Sequence, residues 1–95
     1  MIKNITVQEL KKIDDVNIID IRSYEKYNNG HIPNSINIPT DILLKNPNTY
    51  LNKKEKYYIY CQRGVMSVRT CIALNSLGYN VINILGGYEA WKYNS

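Results

Sequence analysis

Apolar positions along this chain fall into two rhythms. Short, nearly unbroken runs rich in β-branched or tyrosine residues occur at Val16–Ile21 (VNIIDI), Tyr57–Tyr60 (YYIY) and Val81–Leu85 (VINIL). Each is bounded by polar or glycine-containing segments, the pattern of a mostly buried strand. Ile36 and Ile38 flank Asn37 and predict a brief fourth strand, closed by Pro39. Helix signals separate these runs. Thr6-Val7-Gln8-Glu9 has the form of a capping box and predicts a short helix from Val7 to Ile13. Ser23 is placed to cap a helix through Tyr27, which Asn28-Asn29-Gly30 ends. Thr40-Asp41 is placed to cap the next, and Pro47 starts a further irregular or helical turn. Ser67–Leu77 predicts a longer helix with Gly78 at its stop, and Tyr88–Lys92 a terminal one after the Gly86-Gly87 turn. Strands alternating with helices predict an α/β fold with a largely parallel sheet covered on both faces. Such sheets bind ligands beyond the carboxyl ends of their strands. Cys61 stands there, between a predicted strand and a predicted helix.

Composition narrows the function classes. A chain of 95 residues with 44% hydrophobic and 21% charged content is expected to form one domain over residues 1–95. No apolar run approaches the roughly 20 residues that span a bilayer. Met1-Ile2-Lys3-Asn4 does not resemble a signal peptide, so no membrane partner and a cytoplasmic location are expected. The net charge of +4 is spread over Lys11-Lys12, Lys53-Lys54 and Lys56 rather than gathered in one stripe. That argues against nucleic acid and leaves small anions as ligands. Two cysteines without a paired spacing and one histidine predict no metal site and no disulfide scaffold.

The candidate chemistry lies in Cys61-Gln62-Arg63-Gly64-Val65-Met66-Ser67. A cysteine nucleophile acts as the thiolate, and a free thiol near pKa ~8.5 is mostly protonated at neutral pH. A helix N-terminus favours the anion through its unpaired N–H groups and its dipole. If the helix starts near Ser67, the preceding loop curls over that end with its amides pointing inward as an anion nest. Gly64 supplies the left-handed turn, Arg63 a positive charge at the mouth, and Ser67 a helix cap or a hydroxyl for the sulfur. No acid–base partner is evident, since His31 lies in the turn-like Gly30-His31-Ile32-Pro33. From these residues alone, a reactive Cys61 and a buried structural thiol stand level. Cys71 falls on an apolar arc with Val68, Ile72, Leu74 and Leu77, which makes it a core residue; a redox pair with Cys61 is the alternative.

Three collinear segments carry a resemblance. Ile18-Ile19-Asp20-Ile21-Arg22 with Tyr24-Glu25-Lys26-Tyr27 and Gly30–Pro39, then Cys61–Ser67, then Leu77-Gly78-Tyr79 with Val81, Leu85-Gly86-Gly87 and Trp91, together resemble the rhodanese domain family. The match runs from about residue 5 to residue 92. The resemblance implies five mostly parallel strands and a sulfurtransferase cycle that needs no cofactor. Cys61 would take sulfane sulfur from a small sulfur-containing anion such as thiosulfate, or from a persulfide. It would pass that sulfur to cyanide or a thiol, with a sulfur-relay protein as a further partner. Residues 62–67 would form the active-site loop. Asp20, Arg22 and His31 match signature positions: Asp20 and Arg22 as a charge-assisted brace or as tuners of the loop's charge, and His31 as a turn residue.

One position departs from the pattern. Many single-domain relatives carry Arg or another polar residue where this chain has Met66, so a flexible apolar wall replaces a charge. That brings a thiol-bound or protein-bound persulfide level with the thiosulfate dianion as donor. Two alternatives remain at this stage. A phosphatase or arsenate reductase would need an arginine at the position of Ser67, and the next one, Arg69, comes two residues late. A persulfide carrier with negligible turnover would have the same sequence as an enzyme.

Overall fold

Isoleucine and tyrosine fill nearly all of the apolar strand positions, and the period of two sends alternate side chains to opposite faces. The computed structural model describes residues 2–94. Among these, the strands are β1 (Lys3–Ile5), β2 (Asn17–Asp20), β3 (Ser35–Asn37), β4 (Lys56–Tyr60) and β5 (Asn80–Ile84). The helices are α1 (Val7–Leu10), α2 (Tyr24–Asn28), α3 (Thr40–Lys45), α4 (Pro47–Tyr50), α5 (Val65–Ser76) and α6 (Gly87–Tyr93). The strands pair in the order β1-β5-β4-β2-β3, and every pairing is parallel. One face packs Ile19, Ile59 and Val81 against Leu43 of α3 and Cys71 and Leu74 of α5. The other packs Ile18, Tyr58, Ile82 and Ile84 against Val7 and Leu10 of α1 and Trp91 of α6. The α/β architecture expected from the sequence is therefore present, with central β4 buried on both faces. No helix is long and apolar enough to cross a membrane among the described residues.

Several element ends differ from the sequence reading, each for a physical reason. β1 carries no apolar run, because Lys3 and Asn4 are exposed on an edge strand; its pairing with β5 defines it. The capping box at Thr6 is present, yet α1 stops at Leu10, well short of Ile13. Ser23 caps α2 as expected, its hydroxyl accepting from Lys26 N–H. Thr40-Asp41 does not cap α3: Pro39 is the N-cap, and the Thr40 hydroxyl pairs with Thr70 Oγ1 at 2.7 Å. α5 begins at Val65, not Ser67, and its N-cap is Gly64 in the left-handed conformation. The far end of α5 follows the glycine rule. Gly78 (φ 95) lets its own N–H reach Asn75 C=O and that of Tyr79 reach Leu74 C=O, the double bond of a Schellman motif.

Tyr60 joins β4 to the segment that leads into β3. Its phenol oxygen accepts the Ile32 N–H at 3.1 Å and shares a hydrogen with Ser35 Oγ at 3.1 Å. Burial comes first among the causes that hold its ionisation far above the usual tyrosine range. Tyr60→Phe keeps the ring and strips Ile32 N–H of its partner. The expected loss is about 1–3 kcal/mol of stability, read as a lowered urea midpoint at unchanged m-value.

Candidate functional site

The loop after β4 is shaped by main-chain hydrogen bonds. Cys61 follows the last residue of β4 and is buried among the side chains facing α5. The left-handed turn at Gly64 folds the chain back over the sulfur. Gly64 N–H then donates to Cys61 Sγ at 3.1 Å and Ser67 N–H at 3.3 Å. The carbonyls of the same loop face the other way. Tyr88 N–H donates to Cys61 C=O at 2.9 Å, and Glu89 N–H to Gln62 C=O at 3.0 Å. The first turn of α6 thus holds the loop's acceptors while the start of α5 supplies donors to the sulfur. This approach requires Gly87, where an added Cβ would lie 2.3 Å from Cys61 O.

Two opposing effects set the Cys61 proton. Burial raises the pKa, but hydrogen bonding with the Ser67 side chain and from the Ser67, Gly64 and Arg63 amides outweighs it and holds the thiol below its ordinary value. Ser67 Oγ lies 3.4 Å from Sγ and 2.6 Å from Asn83 Oδ1. Ser67 is thus not the helix cap, but it does sit beside the sulfur as the alternative expectation had it. Cys71 behaves oppositely: burial, then the nearby negative charge of Cys61, pushes it up to about 12. That is the chemistry of an inert core thiol. Both cysteines are free.

A cleft of about 680 Å³ opens over Cys61, with Arg22, Lys26, Pro39, Arg63, Val65 and Met66 in its walls. Val65 and Met66 are 67% and 48% exposed, so the rim beside the sulfur is apolar and open. Gln62 also lines it, and its amide is fixed at both ends: Oε1 accepts from Arg22 Nη1 at 2.9 Å and Nε2 donates to the Glu89 carboxylate. Asp20 is fully buried behind Arg22, which it grips through Nε at 3.0 and 3.1 Å and Nη2 at 2.7 Å. The Arg22 guanidinium also reaches Gly30 C=O at 2.6 Å and lies over the rings of Tyr88 at 4.4 Å and Tyr60 at 5.7 Å. His31 is elsewhere, its Nδ1 at 2.9 Å from Tyr27 C=O and its ring stacked on Tyr27.

The structure therefore brings Cys61, residues 62–67 and Arg22 together, and sets Asp20 one layer back. Sequence reasoning missed Asn83, Lys26 and the two α6 amides. Asn83 had a signal, being a polar residue inside the apolar run VINIL. Main-chain donors such as Tyr88 and Glu89 leave none. Among the described residues no group of three acidic, histidine or cysteine side chains is arranged to hold a metal.

The rhodanese-like domain family matches residues 6–94. The chain belongs to that family. The crystal structure of a rhodanese-like domain protein from Staphylococcus aureus superimposes with a TM-score of 0.87 at 39% identity, covering 95% of this chain and 91% of that one. A sulfurtransferase of Allochromatium vinosum is 33% identical over 85 residues, 88% of this chain and 78% of its own length. An adenylyltransferase and sulfurtransferase of Ogataea parapolymorpha is 31% identical over 91 residues, which is 95% of this chain. The rhodanese-like chain spans only 23% of that relative's length.

Two outcomes follow from the loop geometry. Gly87→Ala forces a methyl onto the Cys61 carbonyl at a left-handed φ of 58°. It should cost roughly 2 kcal/mol or more of stability and slow Cys61 alkylation at neutral pH, measured by urea unfolding and iodoacetamide kinetics. The pH profile of Cys61 alkylation should have its midpoint below the ~8.5 of a free thiol. Because the folded value is the lower one, the linked stability is fully present above ~8.5 and fades as pH falls through the folded midpoint. Urea midpoints against pH, wild type against Cys61→Ser, should diverge in that direction.

Proposed function

We propose that this rhodanese-like chain is a sulfurtransferase that carries sulfane sulfur on Cys61. The observation that supports this most is the pair of N–H groups, Gly64 and Ser67, aimed at a buried sulfur whose proton is held loosely. In the first half-reaction the Cys61 thiolate attacks the outer sulfur of the donor. The donor's S–S bond breaks, and its remainder, sulfite in the case of thiosulfate, leaves with the electron pair. Cys61 becomes a persulfide anion of unchanged total charge. In the second, cyanide or a thiolate attacks the outer sulfur, takes it away and returns the Cys61 thiolate. The same amides serve thiolate and persulfide, because the negative charge moves outward by only one atom. Arg63 and Lys26 attract anionic donors to the cleft.

The apolar rim of Val65 and Met66 favours an organic persulfide, on a small thiol or a partner protein, over a small dianion. A phosphatase-type reaction lacks support, since Ser67 stands where it would need an arginine to clamp an oxyanion, and Arg69 is exposed on α5.

Intact mass after treatment with thiosulfate or an organic persulfide checks the central claim. Wild type and Cys71→Ser should each gain one sulfur, and Cys61→Ser none. No gain with any sulfane donor, from folded protein, would refute the proposal. A gain without steady-state turnover would make the chain a carrier rather than an enzyme. For donor choice, Met66→Arg should raise kcat/KM for thiosulfate by about two- to five-fold, the worth of one exposed charge pair. It should leave kcat/KM for a neutral persulfide donor nearly unchanged.

A further inference from the structure

Ser67 has one hydroxyl proton and two acceptors in reach, Asn83 Oδ1 at 2.6 Å and Cys61 Sγ at 3.4 Å. It serves one at a time. With the proton on Asn83, the Ser67 oxygen is free to accept the Cys61 S–H, which suits the thiol. A thiolate or persulfide anion has no proton to give and takes one instead. If the hydroxyl simply turned to sulfur, Asn83 Oδ1 would lose its donor in a site where Asn83 is only 1% exposed. A buried acceptor left alone is costly.

Asn83 has a second partner that removes this cost. Its Nδ2 donates to Asn4 Oδ1 at 3.0 Å, and the two residues are register partners across the parallel β1–β5 pair. An asparagine amide turned end for end exchanges donor for acceptor without changing shape. Asn83 Nδ2 would then face Ser67 Oγ, and Asn4, exposed on the edge strand, would turn in the same way to give its own Nδ2 to Asn83 Oδ1. Its carbonyl would go to water. We infer that Cys61, Ser67, Asn83 and Asn4 form one hydrogen-bond chain that reverses direction when the sulfur passes between thiol and anion. Only the sulfur's own proton leaves, and every buried group keeps a partner in both states. Ser67 and Asn83 are positioning residues in this scheme. The inference rests on the nucleophilic reading of Cys61 and explains how a fully buried side chain supports both of its forms. The charged groups around the cleft are Arg22, Lys26, Asp41 and Arg63; Cys71 faces the sulfur from α5, and Lys3 adjoins Asn4 on β1.

The test acts at the exposed end of the chain, where the fold is least at risk. Asn4→Asp offers only acceptors and holds Asn83 Nδ2 toward β1, which locks the direction that suits the thiol. Asn4→Lys offers only donors and locks the reverse. The readout is Cys61 alkylation rate against pH, resolved by mass spectrometry, with circular dichroism confirming the fold. The midpoint should move up in Asn4→Asp, slowing alkylation at neutral pH by about three- to ten-fold, and down in Asn4→Lys. Direct charge effects have the same signs, so both variants are repeated in a Ser67→Ala background, where the chain is cut. The shifts should shrink there to the smaller, salt-screened part that the surface charge supplies directly. Shifts of undiminished size without the Ser67 hydroxyl, or no shift with it, would overturn the inference. Alkylation reports the thiolate whether or not sulfur is transferred, so a failure of the proposed activity would remain distinguishable.

Discussion

Two hydrogen bonds hold the site in its shape: Tyr88 N–H to the carbonyl of Cys61 and Glu89 N–H to that of Gln62. A peptide unit points its N–H and C=O in opposite directions. Fixing the Cys61 and Gln62 carbonyls on α6 therefore turns the N–H groups of Gln62 and Arg63 away from α6, and the Arg63 amide is one of those that favour the Cys61 anion. Left to itself, a loop of this kind would offer carbonyl oxygens to the sulfur as readily as amides, and oxygen lone pairs would repel a thiolate. The order β1-β5-β4-β2-β3 makes the arrangement available, because it sets β5, and the turn into α6, beside the end of β4. The fold thus acts on the chemistry by choosing which side of the peptide bond the sulfur meets.

The second support is electrostatic. Asp20 and Arg22 are both buried, and a buried ion pair is poor evidence of stability on its own, since desolvation offsets most of the attraction. Here the guanidinium also reaches Gln62, Gly30 and the face of Tyr88. One cation thereby joins the end of β2, the loop after β4, the turn after α2 and the start of α6. Its value is geometric: it fixes the relative placement of four segments that meet at the carboxyl edge of the sheet.

Much of this was legible in the sequence, and the boundary is instructive. VNIIDI, YYIY and VINIL announced the inner strands because buried parallel strands need nearly continuous apolar runs. Cys71 was legible as core from its helical spacing. Lys3-Asn4-Ile5 was not, since an edge strand is defined by a partner and not by its own pattern. The start of α5 was misplaced at Ser67 because the capping rules describe side-chain caps. The real cap, Gly64, works through its backbone, and the serine is consumed by sulfur and Asn83. Asn83 was passed over inside its apolar run although a polar residue there has to find buried partners. Resemblance placed the loop and Cys61, and the fifth strand entered only through it. Which amides face the sulfur is written in main-chain geometry, on which side-chain identity is silent.

Gly64 and Gly86 meet backbone to backbone, and Gly87 lies against the Cys61 carbonyl. The floor of the site is therefore mostly peptide, with the Ser67 hydroxyl hydrogen-bonded beside the sulfur. Around it, Lys26, Arg63, Val65 and Met66 face outward into the cleft. The two layers can vary independently. Under the proposed function, rim substitutions would alter the choice of sulfur source and leave the peptide socket as it is, while a methyl on the floor would clash with the socket itself. A chain built this way separates reactivity from choice of client, which is how one short domain can stand alone in one protein and occupy a fraction of a longer one in another.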